Sequence, residues 1–367
     1  MTHTSRARRH VALPITGALA GALAGALLLS GCGSTPAEAP TDALNVVATT
    51  TQLTDFATQV GGDDISLTGL LSVGASAHHF DPSPKELLAL SQADVLIVNG
   101  AGLETFIDSA IEASGFDGAI ITAADGVDLE AHEEEEHEHQ HEDEAPDQDA
   151  DHDEADHAHE ESDHADHADH DHDHGGVNPH IWTSPRNAIG MVDEIEHGFV
   201  AADPENEAAY TQRASEYRAT LTALDEWIST QFEQIPEADR VLVSGHDSLH
   251  YYLEDYGIEF AGSIIPSFED NAEPSAAEID ALVATIQERG VKAIFVESSM
   301  SPKLARTIAK EAGVTVVDSE SLFADSLGAE GTGAETYVAA TIHNTRVIVE
   351  AWGATPTELP AELGGAE

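Results

Sequence analysis

Five short runs most constrain the fold: "LNVVATT" (44–50), "DVLIVNG" (94–100), "GAIIT" (118–122), "RVLVSGH" (240–246) and "VKAIFVES" (291–298). They are rich in Val, Ile and Leu and lack the apolar/polar alternation of a half-exposed strand. Such runs suit parallel strands covered on both faces. Helical stretches separate them. In the first half these are "LTDFATQVG", "SPKELLALSQA", with Ser83 as N-cap and Pro84 at the first position, and "LETFIDSAIEAS". "ISLTGLL" supplies a further strand. In the second half "DSLHYYLEDYG", "SAAEIDALVATIQERG" and "SPKLARTIAKEAG" alternate with "IEFAGSII" and "VTVVDS", and a last helix covers "GAETYVAATIHNTRVIVEAW". Two α/β series in one chain predict two α/β lobes.

Between them the pattern is helical. "SPRNAIGMVDEIEHGFVAA" reads as one helix, and the segment opening at Asp203-Pro204 and running to Ile235 as a second. At 1.5 Å per residue the second spans on the order of 40 Å and can join the lobes as a rigid spine. The predicted organisation is residues 44–185 for the N-terminal lobe, 186–235 for the linking helices and 236–367 for the C-terminal lobe. A cleft between them would lie beyond the carboxyl ends of the strands, where open α/β sheets bind ligands.

The start of the chain reads as an export signal over 1–31. A basic "RARRH" precedes the apolar "VALPITGALAGALAGALLLS". A membrane-spanning anchor is the rival reading, but the run is rich in Gly and Ala and carries a proline. The single cysteine, Cys32, follows in "LSGC", which resembles the bacterial lipobox. Its lipidation would leave no free thiol and no disulfide, so any metal site must do without sulfur. Residues 32–43 have the small, polar, Pro-rich composition of a tether.

The formal net charge is −55. Much of it comes from residues 130–176, which hold no Lys or Arg. Nucleic acid is excluded as a partner because phosphates would be repelled; cations are favoured. Within this segment "DHADHADHDHDHGG" sets His164, His167, His170, His172 and His174 among aspartates. So polar a stretch cannot build a core. Ordering it around an ion costs chain entropy, so it predicts several weak, exchangeable cation sites rather than one tight one. A solvated spacer is the plainer alternative.

Elsewhere few histidines fall at strand ends. His78 and His79 follow the second strand in "GASAHHFDPSP". His180 sits in "NPHIW" between a proline and a Trp182 expected to be buried. His246 ends "RVLVSGH", and His250 lies four residues on. Asp325 in "LFADSLG" and Glu297 at the end of "AIFVES" are the carboxylates in reach. If a helix starts at Asp247, His246 points into the cleft and His250 lies along its flank. A loop pair, a satisfied core histidine or an ordinary ion pair would explain each singly. Together they place donors on both lobes.

These segments resemble the metal-binding lipoproteins of bacterial ABC importers, the zinc and manganese substrate-binding family, over essentially all of the chain after Cys32. "GASAHHFDPSPKEL", "NPHIWTSPRNA", "SGHDSLHYYLEDYGI", "IFVESSMSPKLARTIAKEAGV" and "LFADSLG" carry the resemblance. It implies two α/β lobes joined by a long rigid helix, with metal ligands at His78, His180, His246 and Asp325. His79, His250 and Glu297 remain as alternatives or supporting residues. Ala77 stands where the family usually has proline, which should loosen the loop presenting His78. In manganese relatives the third ligand is usually glutamate; His246, with the His-rich loop, implies Zn²⁺. Three imidazoles and a carboxylate suit tetrahedral zinc, and binding should weaken below about pH 6.5, as imidazoles protonate. The implied partners are an ABC permease with its ATPase, and the membrane through a lipid on Cys32, with the protein a monomer at the outer face of the cytoplasmic membrane or in the periplasm. A manganese or iron carrier is the rival within the class. A zinc hydrolase is the rival outside it, disfavoured by a closed four-ligand shell and the lack of a nucleophile or HExxH pair.

Overall fold

A computed structural model describes residues 43–129, 177–267, 272–317 and 322–364. Cys32 and the five loop histidines from His164 to His174 lie outside the described residues. Among those described, no helix is long and apolar enough to cross a membrane.

The first sheet contains β1 (Leu44–Ala48), β2 (Ile65–Gly69), β3 (Val95–Val98) and β4 (Ala119–Thr122) in the order β2-β1-β3-β4, all parallel. Three helices belong to this half: α1 (Thr51–Gly61), α2 (Pro84–Leu90) and α3 (Ile107–Ser114). Ser83 and Glu86 form a capping box around the Pro84 start of α2. The central strands match the expectation of two covered faces, since every residue of β3 is buried. At the edge the expectation fails: Ile120 of β4 is 51% exposed. An apolar run reports strand propensity, and only the strand's place in the sheet decides how much is covered.

The second sheet repeats the plan with β5 (Val241–Ser244), β6 (Glu259–Ser263), β7 (Ala293–Ile294) and β8 (Thr315–Val316), parallel, in the order β6-β5-β7-β8. Here α6 (His250–Asp255), α7 (Ala276–Arg289) and α8 (Lys303–Ala312) intervene, and α9 (Tyr337–Ala351) closes the fold. The helix expected from Asp247 begins only at His250. The intervening backbone is engaged elsewhere: Asn178 Nδ2 donates to Asp247 O at 2.9 Å and Ser248 Oγ to Glu297 Oε1 at 2.8 Å.

Between the sheets, α4 (Pro185–Ala202) ends one residue before Asp203. A 3-10 turn at Pro204–Asn206 follows, and then the 27-residue α5 (Glu207–Glu233). The long helix therefore starts three residues later than its proline suggested. Its buried positions, among them Tyr210, Leu221, Leu224 and Ile228, join one core with Val46 and Leu96 of the first sheet and with Leu242, Tyr252 and Phe295 of the second half. Strand periodicity divides the second sheet. Leu242 and Phe295 face this shared core. Val243, Ile294 and Val296 face a smaller cluster with Ile286 of α7 and Ile308 of α8. A shared apolar core disfavours wide separation of the two sheets, because opening would expose it to water.

Candidate metal site

Each candidate donor leaves the carboxyl end of a strand or the start of a helix. His78 lies between β2 and α2. His180 immediately precedes the turn Ile181–Thr183 that leads into α4. His246 is two residues beyond β5, and Asp325 sits between β8 and α9. In both sheets the first strand, β1 or β5, has neighbours on either side, the topological switch point where parallel sheets bind ligands.

The structure brings His78, His180 and His246 together, with one ring nitrogen of each within 4.8 Å of the others. All three are buried: His180 and His246 are 0% exposed and His78 6%. The Nε2 atoms of His78 and His180 are 3.1 Å apart. Asp325 Oδ1 lies 3.2 Å from His246 Nε2 and 3.8 Å from His180 Nε2. An ion about 2.0–2.1 Å from two donors at a tetrahedral angle separates them by about 3.3 Å. The observed spacings bracket that value. His246 Nε2 and Asp325 Oδ1 approach each other without hydrogen-bond alignment, so both are buried with no hydrogen-bond partner among the described residues. Buried polar atoms are rarely left so; a shared cation would satisfy both.

Hydrogen bonds orient the rings. Asn178 Oδ1 lies 2.8 Å from His180 Nδ1, which suits an Nδ1–H donor and turns the Nε2 lone pair toward the cluster. His180 N donates to the same oxygen at 3.1 Å. Glu297, wholly buried, lies behind His246, with Oε1 3.4 Å from Nδ1 as a charge contact rather than an aligned hydrogen bond. It also accepts from Gly245 N at 3.1 Å and His246 N at 3.4 Å. Such outer partners fix tautomer and ring direction in metal sites. His78 is held by its N–H to Ser76 Oγ at 3.2 Å and by Thr105 Oγ1 donating to its carbonyl at 3.4 Å. Ala77 before it is buried.

The loop of Asp325 is gripped by the other lobe. Gln52 Nε2 and Trp182 Nε1 both donate to Ala324 O at 2.9 Å. Leu327 N donates to Thr51 Oγ1 at 2.9 Å, and Gly74 N to Ser326 Oγ at 2.8 Å. Trp182 is buried, as its sequence context suggested.

Charge separates the two central imidazoles. Burial opposes a proton on His246, but the carboxylates of Asp325 and Glu297 outweigh it and raise its pKa well above the ordinary value. His180 is lowered well below, by burial first and then by His246, with Asp325 only partly offsetting them. Asp325 is itself lowered: burial raises it, and the neighbouring imidazoles, His246 foremost, more than compensate.

The remaining candidates fall outside the cluster. His79 is exposed, its ring centroid 6.4 Å from that of His78. His250 opens α6 with its ring against Tyr251. Glu297 supports His246 from behind. Sequence reasoning missed Asn178, Gln52 and Ser299, whose hydroxyl donates to Asp325 Oδ2. Asn178 had a signal, standing two residues before His180 in "NPH". Gln52 and Ser299 had none.

The fold and the buried imidazole cluster define a two-lobed α/β metal-binding protein. Residues 46–351 match the model of the family described as zinc-uptake complex component A, periplasmic, and the chain belongs to that family. It is 29% identical to the manganese-binding lipoprotein MntA of Bacillus subtilis, over 91% of this chain and 98% of that protein. It is 25% identical to the metal ABC transporter substrate-binding lipoprotein SsaB of Streptococcus sanguinis, over 86% of this chain and 91% of that one. Among solved structures, the periplasmic zinc-binding protein TroA of Treponema pallidum superposes with a TM-score of 0.67 at 22% identity, covering 84% of this chain and 98% of that chain. The chain is thus the substrate-binding component of a metal ABC importer and not an enzyme.

Proposed function

We propose that this protein captures Zn²⁺ outside the cytoplasm and delivers it to the permease of an ATPase-driven importer, with His78, His180, His246 and Asp325 as the ligands. One observation supports the reading: ring nitrogens of the buried His78, His180 and His246 lie within 4.8 Å of one another, with Asp325 Oδ1 3.2 Å from His246 Nε2 and 3.8 Å from His180 Nε2. Three borderline nitrogen donors favour zinc over manganese, which prefers oxygen and a larger shell. Lipidation at Cys32 would hold the protein, as a monomer, at the outer face of the membrane. The histidines from His164 to His174 would add weak sites that raise local zinc.

Manganese is the second reading, favoured by the name of MntA. Metal analysis of the exported chain purified from medium holding both ions, followed by calorimetry with each, separates the two. The zinc reading expects one tight zinc per chain, with His180→Ala abolishing tight uptake. Manganese retained in preference to zinc would establish the other cargo. Undiminished tight zinc uptake by His180→Ala would exclude these ligands.

A further inference from the structure

The two oxygens of Asp325 are in unlike surroundings. Oδ1 faces both His246 Nε2, at 3.2 Å, and His180 Nε2, at 3.8 Å. Oδ2 accepts a hydrogen bond from Ser299 Oγ. The backbone that carries the carboxylate is held in place. Asp325 is 4% exposed, and the carbonyl before it is clamped by Gln52 and Trp182. Ser299 belongs to the segment that follows Glu297, whose next residue, Ser298, donates its backbone N–H to Leu322 O at 2.9 Å. The hydroxyl is therefore carried beside the Asp325 loop by backbone pairing.

We propose that Ser299 is a specificity-determining residue: by holding Asp325 Oδ2 away from the three imidazoles it makes the carboxylate a one-oxygen donor and fixes the shell at four. This rests on the ligand set proposed above. A carboxylate can grip a cation through one oxygen or both. With one, the three nitrogens complete the four-coordinate shell zinc favours. With both, the shell grows to five and gains the oxygen character that suits manganese. The hydroxyl therefore sets coordination number without touching the ion. Removing it frees Oδ2 to turn inward, which helps an ion seeking more ligands and gives zinc little.

The test uses the full exported chain with Ser299→Ala and Ser299→Thr, probed with Co²⁺, Zn²⁺ and Mn²⁺. Four-coordinate Co²⁺ has intense visible d–d bands that weaken as coordination number rises. The parent and Ser299→Thr should show the intense spectrum and Ser299→Ala the weaker one. The zinc-to-manganese affinity ratio should fall by about tenfold in Ser299→Ala, the lower end of what outer partners contribute, and stay at the parent value in Ser299→Thr. Ser299 is only partly buried, so both variants should fold, which near-ultraviolet circular dichroism checks. An unchanged cobalt spectrum and ratio in Ser299→Ala would overturn the proposal, as would identical shifts in both variants. Failure of the ligand set reads differently: His180→Ala would then leave the cobalt spectrum intact.

Discussion

Replacing Glu297 with glutamine preserves volume and shape while converting one terminal oxygen to an NH₂ donor. Glu297 faces donors on both oxygens: Gly245 N–H at 3.1 Å on Oε2, and His246 N–H at 3.4 Å with Ser248 Oγ at 2.8 Å on Oε1. Whichever way the amide turns, at least one buried donor confronts another. The metal-free protein should lose about 1–3 kcal/mol of stability for that group. His246 loses its carboxylate backing at Nδ1, 3.4 Å away, so its ring is less firmly aimed and its Nε2 is a poorer donor to a cation. Outer partners of this kind contribute about 10–100-fold in metal affinity, equivalent to about 1.4–2.7 kcal/mol. Competition against a chromophoric chelator reads this directly. The expected result is a zinc Kd raised by about 10–100-fold with one tight ion still bound. A Kd within about twofold of the parent, with only the melting temperature lowered, would show that Glu297 merely holds the fold and refute the reasoning. Loss of the tight ion altogether would make Glu297 a ligand.

Two further outcomes test the frame around the site. Gly190 on α4 and Gly126 touch back to back, and a Cβ at Gly190 would stand 2.2 Å from Gly126 O; Gly190→Ala should cost about 1–3 kcal/mol by overpacking, where helix propensity alone would give a gain of about 1 kcal/mol, so the direction of the shift in urea midpoint decides. Asp55 is buried and its pKa is raised, by desolvation first, with Tyr337 N–H (2.8 Å) and Gln59 Nε2 (3.1 Å) only partly opposing. A carboxyl raised on folding contributes stability that is full below its ordinary value of 3.8 and lost as pH rises through the folded value. Asp55→Asn does not titrate, so its stability relative to the parent should improve as pH climbs through that window, and a pH-independent difference in urea unfolding would contradict the assignment.

The linear chain by itself determined the elements and the donor chemistry. Apolar runs without alternation specified parallel strands, the helix between Asp203 and Ile235 was legible from its unbroken length, and "NPHIW" placed a histidine between a proline and a tryptophan that is indeed buried. These are short-range properties, set by backbone propensity and residue type. Tertiary structure alone decided which neighbours converge. His78 turns inward while the adjacent His79 is exposed, and Asp325 faces the imidazoles while Glu297 stands behind one of them. It also delayed α6 to His250, because Asn178 and Glu297 claim the backbone and hydroxyl before it. The exposure of Ile120 and the single core running through both halves follow from packing between elements far apart in sequence. Side-chain direction and burial depend on contacts across hundreds of residues, such as Gln52 to Ala324, and local pattern holds no record of them.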